Sequence, residues 1–182
     1  LGSPEAYYGM LLLLEKGKKM RRQDILAKLV EIQYERGEDL RRGTFRVRGD
    51  TIEVYPSYID SAYWIELWGD EIDKLSEIDP LTGSVLKVHE RAPVYPKTYF
   101  VLPVEQKERA IRGILAELGE RLPELNAQNK LVEAQRLSQR TMFDIEMMRT
   151  IGYCHGIENY SRHLSGRQPG EPPPTLLDYF PS

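Results

Sequence analysis

The segment 41–56 constrains the fold more than any other part of the chain, because it predicts a β-hairpin with a defined register. Gly49-Asp50 is a two-residue turn with glycine at the first central position, as a type II′ turn requires. Folding about that turn pairs apolar residues on one face of the two strands: Val47 with Ile52, and Phe45 with Val54. We expect this face to pack on a hydrophobic core.

The opposite face of the predicted hairpin is polar. Its cross-strand pairs are Arg48 with Thr51, Arg46 with Glu53, and Thr44 with Tyr55. Arginine binds carboxylates in bidentate geometry and loses less entropy in doing so than lysine, so two adjacent arginines indicate a docking surface. Charged outer faces of strands are also often simply solvated, and exposed ion pairs contribute only about 0–1 kcal/mol. The residues alone leave both interpretations open.

Composition places the chain among ordinary globular proteins. It has 182 residues, enough for one domain or slightly more, with 41% hydrophobic and 29% charged residues. The longest apolar run is Met10–Leu14, far short of the roughly 20 residues that span a bilayer, so we expect no membrane association. The net charge of −3 gives no global attraction to nucleic acid, which would need local basic patches.

The single cysteine, Cys154, excludes an internal disulfide and indicates a reducing, cytoplasmic environment. It is expected to be a buried or half-buried structural residue. The first residues, Leu-Gly-Ser-Pro-Glu, contain no secretory signal. Because the chain does not begin with methionine, we expect an excised or processed segment.

The pattern predicts an α+β fold in which a small, mostly antiparallel sheet with a packed helix precedes two long helices. Residues 10–102 form the predicted first domain, with a helical stripe across Gln23–Tyr34 and further strands at 63–68 and 85–88. Gly69-Asp70 predicts a second tight turn. After it, Ile72 and Leu75 leave the two-residue period, which predicts a β-bulge.

Residues 103–182 form the predicted helical part, incomplete in this chain. Two stripes step by three and four residues, as expected of two packed helices. Pro123 predicts a kink, or a break near Asn126–Asn129. Residues 165–174 should be irregular, and Leu176–Phe180 forms an apolar, strand-like run. The stripe residues are Ile111, Leu115, Leu118, Leu122 and Leu125, then Leu131, Ala134, Leu137, Thr141, Ile145 and Met148.

Motifs for common catalytic chemistry are absent from the sequence. Gly17-Lys18-Lys19 lacks both the loop and the Ser/Thr of a phosphate-binding loop. The histidines His89, His155 and His163 lie too far apart, with too few thiols, for a common zinc pattern. We therefore predict no enzyme activity, no cofactor and no metal for this chain.

The whole chain resembles the bacterial nucleotide-excision-repair family UvrB. RRGTFRVRGDTIEVYP (41–56) resembles its UvrA-binding domain, LGSPEAY (1–7) the segment before it, and LWGDEIDKLSEIDPLTG (67–83) follows in the family's order. Residues 129–181 resemble a long stretch of the helicase-like domain. The resemblance implies UvrA docking and damage recognition. It also implies contacts with DNA and UvrC through the full-length protein, whose ATP and Mg²⁺ sites lie outside these segments.

The resemblance also assigns residues to UvrA binding. The family's charged contacts correspond to Arg36, Arg46, Arg48 and Glu66. Many relatives have arginine where this chain has Trp64, so an interfacial salt bridge is replaced by a stacking or apolar contact, or a different set of residues is used. Trp64 and Trp68 could equally cover a sheet face within the protein.

Two other functions remain open from the sequence. The transcription-repair coupling factor, Mfd, carries a related UvrA-binding module, but Asp50 and Glu53 in this hairpin fit UvrB better. The third possibility is a DNA-contacting helical module, in which Tyr160, Arg162, His163 and Arg167 lie near DNA. For these four residues helix capping and loop anchoring is the alternative explanation, and the one we favour.

Overall fold

The computed structural model describes residues 4–180, and these form two compact units. One unit is Tyr7–Thr98, and the other combines the chain up to Ala6 with everything from Tyr99 onward. The boundary expected from the sequence lay at residues 102–103. The α+β class is confirmed, with sheets in the first unit and two long helices in the second.

The Tyr7–Thr98 unit contains a two-stranded and a six-stranded sheet with one helix beside them. The small sheet pairs β1 and β8 antiparallel, and the large one has the order β2-β3-β4-β5-β6-β7. All neighbours in the large sheet are antiparallel except β2 and β3. A short helix α1 (Pro4–Gly9) spans the boundary between the two units. The elements that lie wholly within the Tyr7–Thr98 unit are β1 (Leu12–Glu15), α2 (Arg22–Glu31), β2 (Glu35–Arg36), β3 (Thr44–Arg48), β4 (Thr51–Tyr55), β5 (Ala62–Trp68), β6 (Glu71–Ile78), β7 (Val85–Val88) and β8 (Arg91–Val94).

The predicted hairpin is confirmed as β3–β4, with all five cross-strand pairs in the expected register. Gly49 takes a positive φ of 57°, which glycine adopts without a steric penalty and which a primed turn needs. Phe45, Ile52 and Val54 are buried as expected. Val47 is only half-buried, because β2 ends at Arg36 and leaves this end of β3 uncovered.

Helix α2 supplies one wall of the core through Ile25 and Leu29, and Ile32 directly after the helix continues it; all three are fully buried. The Arg21 guanidinium donates two 2.9 Å hydrogen bonds to the Asp24 carboxylate at the first turn of the helix. A negative charge at this end of a helix interacts favourably with the helix dipole. The helix ends before Gln33, whose φ of 74° turns the chain into β2. The predicted helix had extended three residues further, to Tyr34.

The second tight turn and the bulge are also confirmed. Gly69-Asp70 joins β5 to β6, and the register between these strands shifts between Glu66 and Leu67. The shift allows Ile72 and Leu75 to be buried although their spacing breaks the two-residue period.

The helical unit is built from α3 (Val104–Ala127), α4 (Leu131–Thr150), a 3₁₀ turn at Ile157–Tyr160 and α5 (Ser161–Ser165). Helix α3 continues through Pro123, and the chain reverses at Gln128–Lys130, where Asn129 takes a φ of 58°. The predicted break near Asn126–Asn129 is therefore correct. The core of this unit consists of Ala110, Ile111, Ile114, Ile145, Met148, Cys154, Ile157 and Leu164.

Two details of the helical unit differ from the sequence prediction. Leu131 and Leu137 of the predicted α4 stripe are exposed, although Ala134 between them is buried. Residues Leu176–Tyr179 form a 3₁₀ turn rather than a strand-like run. Thr175 and Asp178 cap that turn reciprocally, which satisfies its first backbone donors locally.

Candidate functional site: an arginine-lined face of the large sheet

The predicted site residues of the hairpin and of β5 share one face of the large sheet. Cross-strand pairing places Arg46, Glu53 and Trp64 in one row across β3, β4 and β5. The adjacent row contains Arg48, Thr51 and Glu66. Paired residues of neighbouring strands point to the same side of a sheet, so these rows form one surface, which we call the arginine face.

Arg46 is largely buried and paired, so the solvated interpretation that the sequence left open does not describe it. Its Nε and Nη2 atoms donate hydrogen bonds to the two carboxylate oxygens of Glu53, the second at 2.9 Å. The Arg46 side chain is 19% exposed and that of Glu53 only 4%. The hydrogen bonds to Glu53 raise the pKa of Arg46 above its ordinary value. Replacing Arg46 would leave the buried Glu53 carboxylate unpaired, so Arg46 has a structural role in the sheet as well as a place on the arginine face.

A cavity of about 520 Å³ opens where β2 ends beside β3. It brings Arg36 next to Arg46 and Arg48, together with Gly37, Glu38 and the half-buried Val47. Arg36 and Arg48 are exposed, and within residues 4–180 neither guanidinium forms an ion pair or a side-chain hydrogen bond. These two arginines are the cations of the site whose whole guanidinium group remains available to a partner.

Trp64 and Glu66 extend the arginine face onto β5, and both are half-buried. Trp64 follows Arg46 and Glu53 in their row, and its half-buried side chain leaves part of the ring accessible. Trp68 is different, because it lies at the end of β5 and is 83% exposed. The prediction that both tryptophans could cover a sheet face therefore fails for Trp68.

A further arginine that the sequence analysis did not single out stabilises the start of the hairpin. Arg42 Nη1 donates to the carbonyl oxygen of Ile59 at 2.8 Å, and Nη2 bonds the Asp60 carboxylate. Its guanidinium also lies 5.4 Å from the centre of the Tyr55 ring. Its neighbour Arg41 bonds Asp39 at 3.0 Å. The two adjacent arginines before β3, Arg41 and Arg42, therefore have a structural role that the sequence does not indicate.

The basic residues near the end of the helical unit are engaged within the protein. Glu117 accepts hydrogen bonds from Arg162 and from His163 Nε2, the latter at 2.6 Å. Arg167 bonds Ser161, Ser165 and the backbone of Glu171. These contacts support the structural explanation for the group over DNA contact.

The Tyr160 hydroxyl completes the same region by donating a 2.7 Å hydrogen bond to Asp144, which is buried. Burial and this bond raise the pKa of Tyr160 to about 12. A cavity of about 460 Å³ beside Tyr160 is lined by Glu117, Glu120 and Glu124 and by one arginine, Arg121, which pairs with Glu124. An acidic lining of this kind repels phosphate groups.

Other kinds of site are not apparent in the part of the chain that the structure describes. Within residues 4–180 no group of three or more His, Cys, Asp or Glu side chains is arranged to hold a metal ion. Among the helices found there, none combines the length and hydropathy needed to cross a membrane.

Family comparisons agree with the two structural units. Residues 12–100 match the family model described as the UvrB interaction domain, and residues 105–166 match the UvrB third helical domain. The chain belongs to the UvrB family. Within that family, the arginine face and the cavity at its edge both lie in the interaction domain.

Individual relatives match over the full chain. The UvrABC system protein B of Syntrophotalea carbinolica is 58% identical, and that of Carboxydothermus hydrogenoformans is 56% identical, each over 100% of this chain. The protein of the same name from Ralstonia nicotianae is 54% identical. This chain covers 27%, 28% and 26% of these three relatives, so it corresponds to about a quarter of a UvrB protein.

Proposed function

We propose that the Tyr7–Thr98 unit is a docking domain that binds an acidic surface of UvrA during bacterial nucleotide excision repair. The observation that carries this proposal is the pair of available guanidinium groups, Arg36 and Arg48, at one cavity on a rigid sheet. Guanidinium groups recognise carboxylates in fixed geometry, and complementary charge accelerates association as well as adding specificity.

The remaining residues of the arginine face surround these two cations. Trp64 provides a partly accessible ring, and aromatic and arginine side chains are the residue types enriched at interface centres. Glu66 lies in the same row as Arg48, so it can pair with a basic residue of the partner and fix the orientation of docking. The segment itself is proposed to bind no nucleotide and to contribute no catalytic group, while ATP, Mg²⁺, DNA and UvrC act through other parts of the full-length protein.

Calorimetric titration of UvrA with Arg48→Glu and Arg36→Glu variants tests the proposal. Loss of a paired interfacial charge typically costs about 2–5 kcal/mol, so each variant should weaken binding by roughly thirty-fold or more. Arg91→Glu makes the same charge change at an exposed residue of the small sheet and should bind almost as the wild type does. Equal affinities for all three variants, with intact thermal unfolding, contradict the assignment.

The other two functions receive less support. The matched relatives carry the name of UvrB rather than of a coupling factor. The cavity of the helical unit is acidic, and the cations near it are already paired. Salt-dependent binding of DNA to this chain, at affinities typical of specific recognition, is the result that would revive the helical-module interpretation.

A further inference from the structure

Glu53 is unusual among the charged residues of the sheet because it is buried at 3% exposure. Within residues 4–180 only one other charged side chain, Asp144 of the helical unit, is buried to a similar degree. A buried carboxylate requires a partner and several hydrogen bonds, since removing the charge from water is strongly unfavourable. The partner here is Arg46, whose register opposite Glu53 directs its side chain onto the arginine face.

The bonding geometry leaves part of Arg46 unused. Glu53 occupies Nε and one hydrogen of Nη2, so both hydrogens of Nη1 and the second hydrogen of Nη2 stay free of it. Arg46 also lines the cavity that contains Arg36 and Arg48. A carboxylate that enters the cavity can therefore bind the Nη1–Nη2 end of the guanidinium while Glu53 holds its Nε side.

We propose that Glu53 is a positioning residue for docking, which fixes the Arg46 guanidinium so that its free end binds a carboxylate of an acidic partner. The proposal rests on the docking function above and deepens it. The partner surface needs three carboxylates, positioned to meet Arg36, Arg46 and Arg48. Of these three arginines, only Arg46 is held in place before the partner binds. Preorganisation of this kind removes the entropy loss that a free arginine suffers on binding.

The direction in which Glu53→Gln changes the affinity for UvrA distinguishes positioning of Arg46 from general charge attraction. Glu53→Gln removes a negative charge behind the arginines, so general attraction to an acidic partner predicts unchanged or tighter binding. Positioning predicts the opposite, because glutamine cannot accept both guanidinium hydrogen bonds as a charged acceptor. We expect the affinity of Glu53→Gln for UvrA to fall at least about tenfold, a loss of about 1.4 kcal/mol.

The experiment titrates UvrA calorimetrically with the wild-type chain, Glu53→Gln and a control, Asp50→Asn. Asp50 lies at the exposed hairpin turn, so its replacement makes the same charge change without touching Arg46. The control should bind as tightly as the wild type or slightly tighter. Nuclear magnetic resonance of the Arg46 Nε–H group, in the free chains, should show an ordered and exchange-protected signal in the wild type that is lost in Glu53→Gln.

The outcomes are distinct from those of the docking proposal. If the wild type fails to bind UvrA, docking itself is wrong. If the wild type binds and Glu53→Gln binds equally well or better, positioning is overturned while docking stands. Should Glu53→Gln fail to fold, Glu53→Asp retains the charge but withdraws the carboxylate by one methylene group. The same weakening is expected in that variant, and wild-type affinity would overturn the proposal.

Discussion

The backbone of Gly113 in α3 lies directly against the imidazole ring of His163 in α5. A Cβ atom placed on residue 113 would be 2.7 Å from Nδ1 of that ring, closer than such atoms approach in proteins. Because His163 is also held by Glu117, the ring cannot move away without losing that bond. Glycine at residue 113 is therefore what permits α5 to pack on α3.

This contact predicts opposite effects for two glycines of one helix. In Gly113→Ala the clash should outweigh the helix-propensity gain of about 1 kcal/mol, since overpacking costs about 1–3 kcal/mol. Gly119→Ala meets no atom within 4 Å, so it should stabilise α3 by up to about 1 kcal/mol. Chemical unfolding of both variants measures the difference. Stabilisation of both to the same extent contradicts the packing argument.

The core face of the hairpin predicts unequal effects for the two inward residues of β3. Phe45 is 1% exposed, so Phe45→Ala should lower the free energy of unfolding by about 3–5 kcal/mol through an unfilled cavity. Val47 is half-buried at the open end of β3, so Val47→Ala should lower it by less than about 1 kcal/mol. Denaturant titration of both variants tests this ranking, and comparable losses would show that β3 is equally covered along its length.

The register of the hairpin could be predicted because the information that sets it is local. A turn with glycine at the required place, flanked by alternating apolar residues, fixes which residues face each other and which face the core. The register in turn placed Arg46 opposite Glu53 correctly. Similar local signals gave the turn at Gly69-Asp70 and the bulge that follows it.

Burial on the arginine face was not predictable in the same way. Glu53 is 3% exposed and pairs with Trp64 of β5, and the local pattern of the hairpin does not indicate that pairing with a third strand. The two-residue strand β2 has no hydrophobic period of its own, so the cavity beside Arg36 could not be anticipated. The buried Asp144 likewise accepts its hydrogen bond from Tyr160, sixteen residues away along the chain. These features arise from pairing between distant segments.

The turn before β7 predicts a pH effect. Asp79 Oδ1 accepts hydrogen bonds from the backbone N–H groups of Leu81 and Thr82, at 2.8 and 2.9 Å. The Thr82 and Leu81 amides lower the pKa of Asp79 below its ordinary value of 3.8. A lowered folded-state pKa stabilises the protein above the ordinary value, and this contribution disappears as the pH falls through the folded-state pKa.

Asp79→Ala should therefore lower the melting temperature at neutral pH, and the difference from the wild type should shrink below pH 3.8. Melting curves recorded from neutral pH to strongly acidic pH test this. Asp73→Ala, which removes an exposed carboxylate from β6, controls for the change in net charge. A difference that stays constant over the whole range contradicts the hydrogen-bonded turn as its cause.

The chain should neither bind nor hydrolyse ATP by itself. Gly17-Lys18-Lys19 cannot form a phosphate-binding loop, and it lies between β1 and α2 without the following Ser/Thr. Thermal unfolding with and without Mg²⁺-ATP should give the same midpoint, because a ligand stabilises a protein only when it binds the folded state. A saturable shift, or Mg²⁺-dependent hydrolysis that survives further purification, contradicts the prediction.

The arginines of the hairpin motif should separate into structural and docking groups. Arg42 donates hydrogen bonds to the Ile59 carbonyl oxygen and to Asp60. Arg42→Ala should therefore lower the free energy of unfolding by about 1 kcal/mol. This value lies at the lower end for hydrogen bonds of charged groups because the Arg42 side chain is partly exposed. Arg48→Ala removes no contact within residues 4–180, so its stability should change by at most about 0.5 kcal/mol.

Binding to UvrA should rank the same two variants in the reverse order. Arg48→Ala should weaken the complex strongly, whereas Arg42→Ala should weaken it little, since its guanidinium is engaged by the chain that follows β4. Parallel denaturant and calorimetric titrations of both variants give the full comparison. Arg42→Lys serves as a control for charge, because lysine keeps the cation but cannot reach two acceptors in a planar fork. If Arg42→Lys restores stability, the net charge of the hairpin, rather than its specific hydrogen bonds, is what the fold requires.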